Sequence, residues 1–167
     1  MNDLTADALD APSQHPIPVD TPNPTTWRLH VDGLVRRPLT LSLSDLSALP
    51  RMEHQGSYTC ERGWEIGLRR WQGASLAAVL ELADPLPGAT ALYAHVTGFR
   101  SLVPLDAVPV AFLADELDGQ ALTVERGAPC RLIVHADGCQ LSLKWLERLE
   151  VVQSSPEEPA GPRRPPS

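Results

Sequence analysis

No apolar stretch in this chain runs far before a turn signal stops it, and that punctuation limits the fold more than any other feature. Asp32-Gly33, Pro50, Gly73, Asp84-Pro85, Gly98, Pro104 and Asp118-Gly119 separate short segments of alternating or periodic hydrophobicity. Short strands are therefore expected at Trp27 to Val31, Leu39 to Leu43, Ala91 to Val96, Arg100 to Val103 and Cys130 to His135. A hairpin is expected between Phe112 and Leu122, around Asp118-Gly119. Met52 to Cys60 reads as an extended segment, and Trp145 to Val152 as a final strand with a helix as the competing reading.

Two short helices interrupt the strands. Ser44 reads as an N-cap for a helix running to Leu49 and ended by Pro50. Ser75 caps a second helix, in which Leu76, Val79, Leu80 and Ala83 share one face before Asp84-Pro85 stops it. A turn or short helix is expected at Pro104 to Val108. Strands and helices in this order, without regular βα alternation, predict an α+β domain with mixed, mainly antiparallel sheets.

At 167 residues, one domain with a substantial core fits the length. Prolines 12, 16, 18, 22 and 24 mark residues 1–24 as an extended or disordered arm, and residues 154–167 read as a disordered tail, which leaves 25–153 as the folded domain. A net charge of -7 argues against broad nucleic-acid or anionic-lipid binding. No apolar run approaches the length of a membrane span, so membrane insertion is not expected. The acidic start of the chain lacks an export pattern, which predicts a cytoplasmic location. Cys60, Cys130 and Cys139 form no CxxC pair, so neither a disulfide framework nor a structural zinc site is suggested. GxGxxG and P-loop patterns are lacking as well.

The segment Tyr58 to Gly73, YTCERGWEIGLRRWQG, carries the chemistry. Arg62, Arg69 and Arg70 stand near enough in sequence to stabilise a Cys60 thiolate, a nucleophile and a soft metal ligand. On the residues alone the alternative is a buried cysteine acting as a small hydrophobe. Arg131 and Lys144 suit a phosphate, one as a planar fork and the other as a point charge, with solvent-facing charge as the alternative. His30 and His95 fall inside expected strands as packing or hydrogen-bonding residues, while His15 and His135 are candidates to line a cofactor site. Trp64 and Trp71 read as core anchors.

Three pieces in order, WRLHVDGLVRRPLTLSLSDLSALP, the cysteine segment with the helix SLAAVLELA, and LDGQALTVERGAPCRLIVHADGCQLSLKWLERLEVV, resemble the molybdopterin-binding oxidoreductase domain of the sulfite oxidase family, including its bacterial sulfoxide-reducing branch. The resemblance spans Trp27 to about Val152 and implies a sulfite-oxidase-like fold. It implies a molybdenum-molybdopterin cofactor with Cys60 as the molybdenum ligand and catalytic residue. Thr97, Arg131 and the segment Ser142, Leu143 and Lys144 are the implied pterin and phosphate contacts. The implied activity is oxygen-atom transfer to or from a small-molecule substrate. Glu61-Arg62-Gly63 replaces the Asn-Arg-Arg run of true sulfite oxidases, so the resemblance does not extend to sulfite as the substrate. Arg126 and Leu141 stand where the family often has Asn and a basic residue. With no CxxCH haem motif or four-cysteine cluster pattern, a separate electron-transfer protein is implied. The competing functions are a non-catalytic cofactor-binding or interaction module of the same fold and, on residue types alone, a hydrolase with Cys60 as nucleophile.

Overall fold

A computed structural model describes the backbone of residues 22–59, 65–96, 99–136, 139–154 and 161–163, and within these the side chains outside 56–69, 97–99, 135–141 and 161–163. The first sheet is built from β1 (Leu29–Gly33), β2 (Leu39–Leu41), β5 (Ala91–Val96), β6 (Phe99–Pro104), β11 (Leu146–Val152) and β12 (Gly161–Arg163), in the order β12-β6-β5-β11-β1-β2. The second runs β10-β9-β7-β4-β3, from β3 (Arg51–Thr59), β4 (Glu65–Ser75), β7 (Ala111–Leu117), β9 (Arg131–Ala136) and β10 (Cys139–Leu143), with β8 (Gln120–Ala121) beside β7. Among the described residues only β1 and β11 pair in parallel, and the other pairs are antiparallel, as expected for this class.

The main core is one cluster drawn from both sheets. Leu29, Val31, Leu92, Leu146, Leu149 and Val151 of the first sheet meet Leu113, Leu132 and Val134 of the second, with the apolar stripe of helix α2 (Leu76–Ala83). That helix forms as its sequence demands. Ser75 accepts a bond from the Ala78 amide, Leu76, Val79, Leu80 and Ala83 are buried, and Asp84 takes the left-handed conformation that ends it. Helix α1 (Leu43–Ser47) starts two residues earlier than Ser44 implied. Ser42 is the cap because Asp45 completes a capping box, bonding back to the Ser42 amide while Ser42 Oγ accepts from the Asp45 amide. These bonds hold the Asp45 carboxyl below its ordinary pKa.

Residues 146–152 form a strand, which settles the competing helix reading. Leu146, Leu149 and Val151 turn into the core, and Arg148 grips Asp32 of β1 with Nε and Nη2 bonds of 2.9 Å. The tail expected to lack structure contributes the three-residue β12, antiparallel to β6. Edge pairing uses main-chain groups, so it needs none of the apolar side chains that this segment lacks. Among the described residues no helix is long and apolar enough to cross a membrane.

The hairpin β3–β4 matters most for the site. Its register runs from Arg51 opposite Ala74 to Thr59 opposite Glu65, with an irregularity between Gly56 and Tyr58. The next strand, β7, covers β4 only from Trp71 to Ser75. The outer part of the hairpin therefore extends past β7 by the six residues from Glu65 to Arg70, roughly 20 Å at strand rise. Where β4 meets β7 the backbones touch at Gly73: a Cβ there would lie 1.9 Å from the Leu113 carbonyl oxygen.

Candidate cofactor site

Arg131 opens β9 at the end of the second sheet beyond which the β3–β4 hairpin extends, and it is only 4% exposed. A guanidinium so placed is costly unless other groups replace its water. Three do so here. Its Nη1 donates to the Arg126 carbonyl at 2.9 Å, its Nη2 donates to Ser142 Oγ, and its guanidinium carbon lies 4.5 Å from the centre of the Trp71 ring. Ser142 is reached because β9 and β10 form a tight hairpin that sets Ser142 opposite Ile133.

Lys144 follows β10 directly. Its Nζ donates to the Glu125 carbonyl at 2.7 Å and lies 5.8 Å from the Trp145 ring. Trp145 takes a left-handed φ of 58° and sends its Nε1 proton to the Val124 carbonyl at 2.8 Å. Leu143, between them, buries its side chain in the main core, so any contact it makes with a ligand runs through its backbone. The bonds from Lys144 and Arg131 to these carbonyl and hydroxyl oxygens orient the two cations.

Of the expected site residues, Arg131, Ser142 and Lys144 converge at one end of the second sheet. Cys60 and Thr97 lie outside the described residues, as do His15 and the side chain of His135. Thr59 pairs with Glu65 at the outer end of the β3–β4 hairpin, and Val96 pairs with Leu146, whose amide bonds the Cys130 carbonyl. His95 bonds Glu150 at 3.0 Å, as expected of a strand histidine, whereas His30 is exposed. Trp71, read as a core anchor, does bury itself against Phe112 and Ile133, but it also forms the floor under Arg131. The Trp71 pairing escapes a sequence reading because 60 positions separate it from Arg131. The carbonyl partners escape it because every residue type has a carbonyl.

Cys130, next to Arg131, has the opposite character. It is fully buried, and burial, with a smaller push from the Asp115 charge, raises its thiol pKa far above the ordinary range, against a weak opposing pull from Arg51. Native protein treated with iodoacetamide at pH 8 is therefore expected to leave Cys130 unmodified, and protein in denaturant to modify it fully. Peptide mapping by mass spectrometry reads both; native modification within minutes would contradict the burial.

A guanidinium, an ammonium and a hydroxyl gathered around one strand end bring two cationic side chains and N–H and O–H donor groups, and such a set fits an anionic group with several oxygens. The phosphate that terminates a pterin cofactor is such a group, so the residues present suit it.

Two layered sheets with this strand order define the sulfite-oxidase-like class of cofactor-binding fold. The sulfane dehydrogenase SoxCD from Paracoccus pantotrophus shares it, with a TM-score of 0.69 at 24% identity over 82% of this chain and 41% of that one. Residues 14–160 match the family model described as the oxidoreductase molybdopterin binding domain, and the chain belongs to that family. It is 31% identical over 134 residues to the uncharacterized oxidoreductase YuiH of Bacillus subtilis (strain 168), covering 78% of this chain and 68% of that protein. It is 27% identical to the protein-methionine-sulfoxide reductase catalytic subunit MsrP of Gluconobacter oxydans (strain 621H), over 80% of this chain and 49% of the relative. Sulfite oxidase of Gallus gallus matches at 30% over 93% of this chain and 40% of its own length. The chain thus spans about two thirds of the first of these relatives and half or less of the other two. The cofactor of this family is the molybdenum-molybdopterin group.

Proposed function

We propose that residues 25–153 form a molybdenum-cofactor-dependent oxidoreductase domain that transfers an oxygen atom to or from a small substrate. The observation that carries the reading is the oriented pair Arg131 and Lys144, held by Ser142 and two carbonyls in a family that binds a phosphorylated pterin. Arg131 takes the phosphate with its fork, Lys144 adds a point charge, and Ser142, Thr97 and the Leu143 backbone complete the contacts. Cys60 is the thiolate ligand: a soft donor suits a metal that changes oxidation state by two. Bound, the molybdenum group supplies the two-electron chemistry and the exchangeable oxygen position. The names of MsrP and sulfite oxidase point to a sulfur oxo compound as the substrate class. Electrons pass to or from a separate redox protein.

Protein produced in a host that makes the cofactor is expected to carry near-stoichiometric molybdenum and pterin by metal analysis and pterin fluorescence. Less than about a tenth of an equivalent of both would overturn the reading. Cys60→Ser is expected to lower molybdenum at least roughly tenfold, with pterin reduced less because the phosphate end remains.

A further inference from the structure

The three residues of one short turn, Val124–Arg126, each offer a carbonyl to a different side chain of the site. Val124 accepts from Trp145 Nε1, Glu125 from Lys144 Nζ and Arg126 from Arg131 Nη1, at 2.8, 2.7 and 2.9 Å. The two cations stand side by side at the open end of the β9–β10 hairpin, one at the start of β9 and the other just past β10, and both bond to this turn, which orients them together. Gly127 closes the turn, with its amide on the Val124 carbonyl and a φ of +103°. Its bare Cα faces Lys144: a Cβ there would lie 3.0 Å from both the Lys144 Cα and Cβ and 3.1 Å from its Cγ. The Trp145 amide also bonds the Gly127 carbonyl at 3.3 Å.

We infer that Val124–Gly127 is the positioning element of the phosphate site, with Gly127 required so that Lys144 and Arg131 aim at one anion. The inference rests on the cofactor reading above. Adding a methyl at Gly127 displaces the Lys144 stem while leaving every charge in place. Trp145→Phe keeps the ring and removes one of the three anchoring bonds.

The test measures how fast pterin leaves cofactor-loaded protein during dialysis, by fluorescence of the released pterin, alongside the melting temperature of each variant. Gly127→Ala is expected to speed release about tenfold or more and Trp145→Phe roughly fivefold, the equivalent of one hydrogen bond. Gly127→Asn separates positioning from backbone strain, because Asn tolerates left-handed backbone better than Ala yet carries the same Cβ. Positioning predicts that Asn recovers melting temperature relative to Ala while release stays fast. Recovery of both together would overturn the inference, as would unchanged release in Gly127→Ala. Arg131→Ala and Lys144→Ala serve as reference arms. If they also retain pterin, the cofactor reading itself fails; if they lose it while Gly127→Ala and Trp145→Phe keep it, only the positioning role fails.

Discussion

Replacing Arg131 with alanine is expected to speed cofactor loss about 10- to 100-fold, the equivalent of one charge-assisted, two-pronged contact to a phosphate. The same change should alter the stability of the cofactor-free protein by less than about 2 kcal/mol, because two opposed effects meet there. Truncation abandons the Trp71 ring, the Arg126 carbonyl and the Ser142 hydroxyl, but it also removes a charge held at 4% exposure. Urea unfolding of the cofactor-free form and pterin release from the loaded form separate the two. Arg131→Lys should fall between wild type and alanine in release, since it keeps the charge and loses the fork and the stacking surface. Alanine protein that unfolds far more easily yet retains pterin would reverse the assignment and make Arg131 a structural residue.

Gly73→Ala is expected to damage the fold outright. The added Cβ would meet the Leu113 carbonyl oxygen at 1.9 Å, its carbonyl carbon at 2.4 Å and the Ala114 Cα at 2.6 Å, all backbone atoms of the neighbouring strand. No rotamer relieves that overlap, so β4 must draw away from β7 where the two pair irregularly between Gln72 and Gly73. A cost above about 4 kcal/mol is expected, a loss of roughly 8–16 °C in melting temperature for a domain of this size. Thermal unfolding by circular dichroism measures it, and a loss of only a few degrees would show that the strand contact is looser than the structure has it.

Local order was legible in the sequence wherever a segment carried its own start, face and stop. Helix α2 has all three in Ser75, the Leu76–Ala83 stripe and Asp84, and β5, β6 and the β7–β8 hairpin are bounded by their glycines and prolines. Helix α1 was misplaced by two residues because two serines compete for the cap, and only the Asp45 side chain decides between Ser42 and Ser44. The long strand β4 was illegible for a different reason. Arg69, Arg70, Gly67 and Gly73 break its alternation, and it is a strand because β3 and β7 hold it on both sides. At the site, Arg131 and Lys144 were nameable by their charge, and Ser142 only through the family resemblance. Their supports were not: the turn that orients them acts through main-chain oxygens, and Trp71 reaches Arg131 only across the intervening strand.

That one strand holds both Trp71 and the start of the outer hairpin makes β4 a lever. Its inner half is pinned to β7 by Gly73 and lies under the guanidinium, and its outer half leads to the connection that contains Cys60. Any shear of β4 against β7 then moves the ring beneath Arg131 and the outer part of the β3–β4 hairpin together.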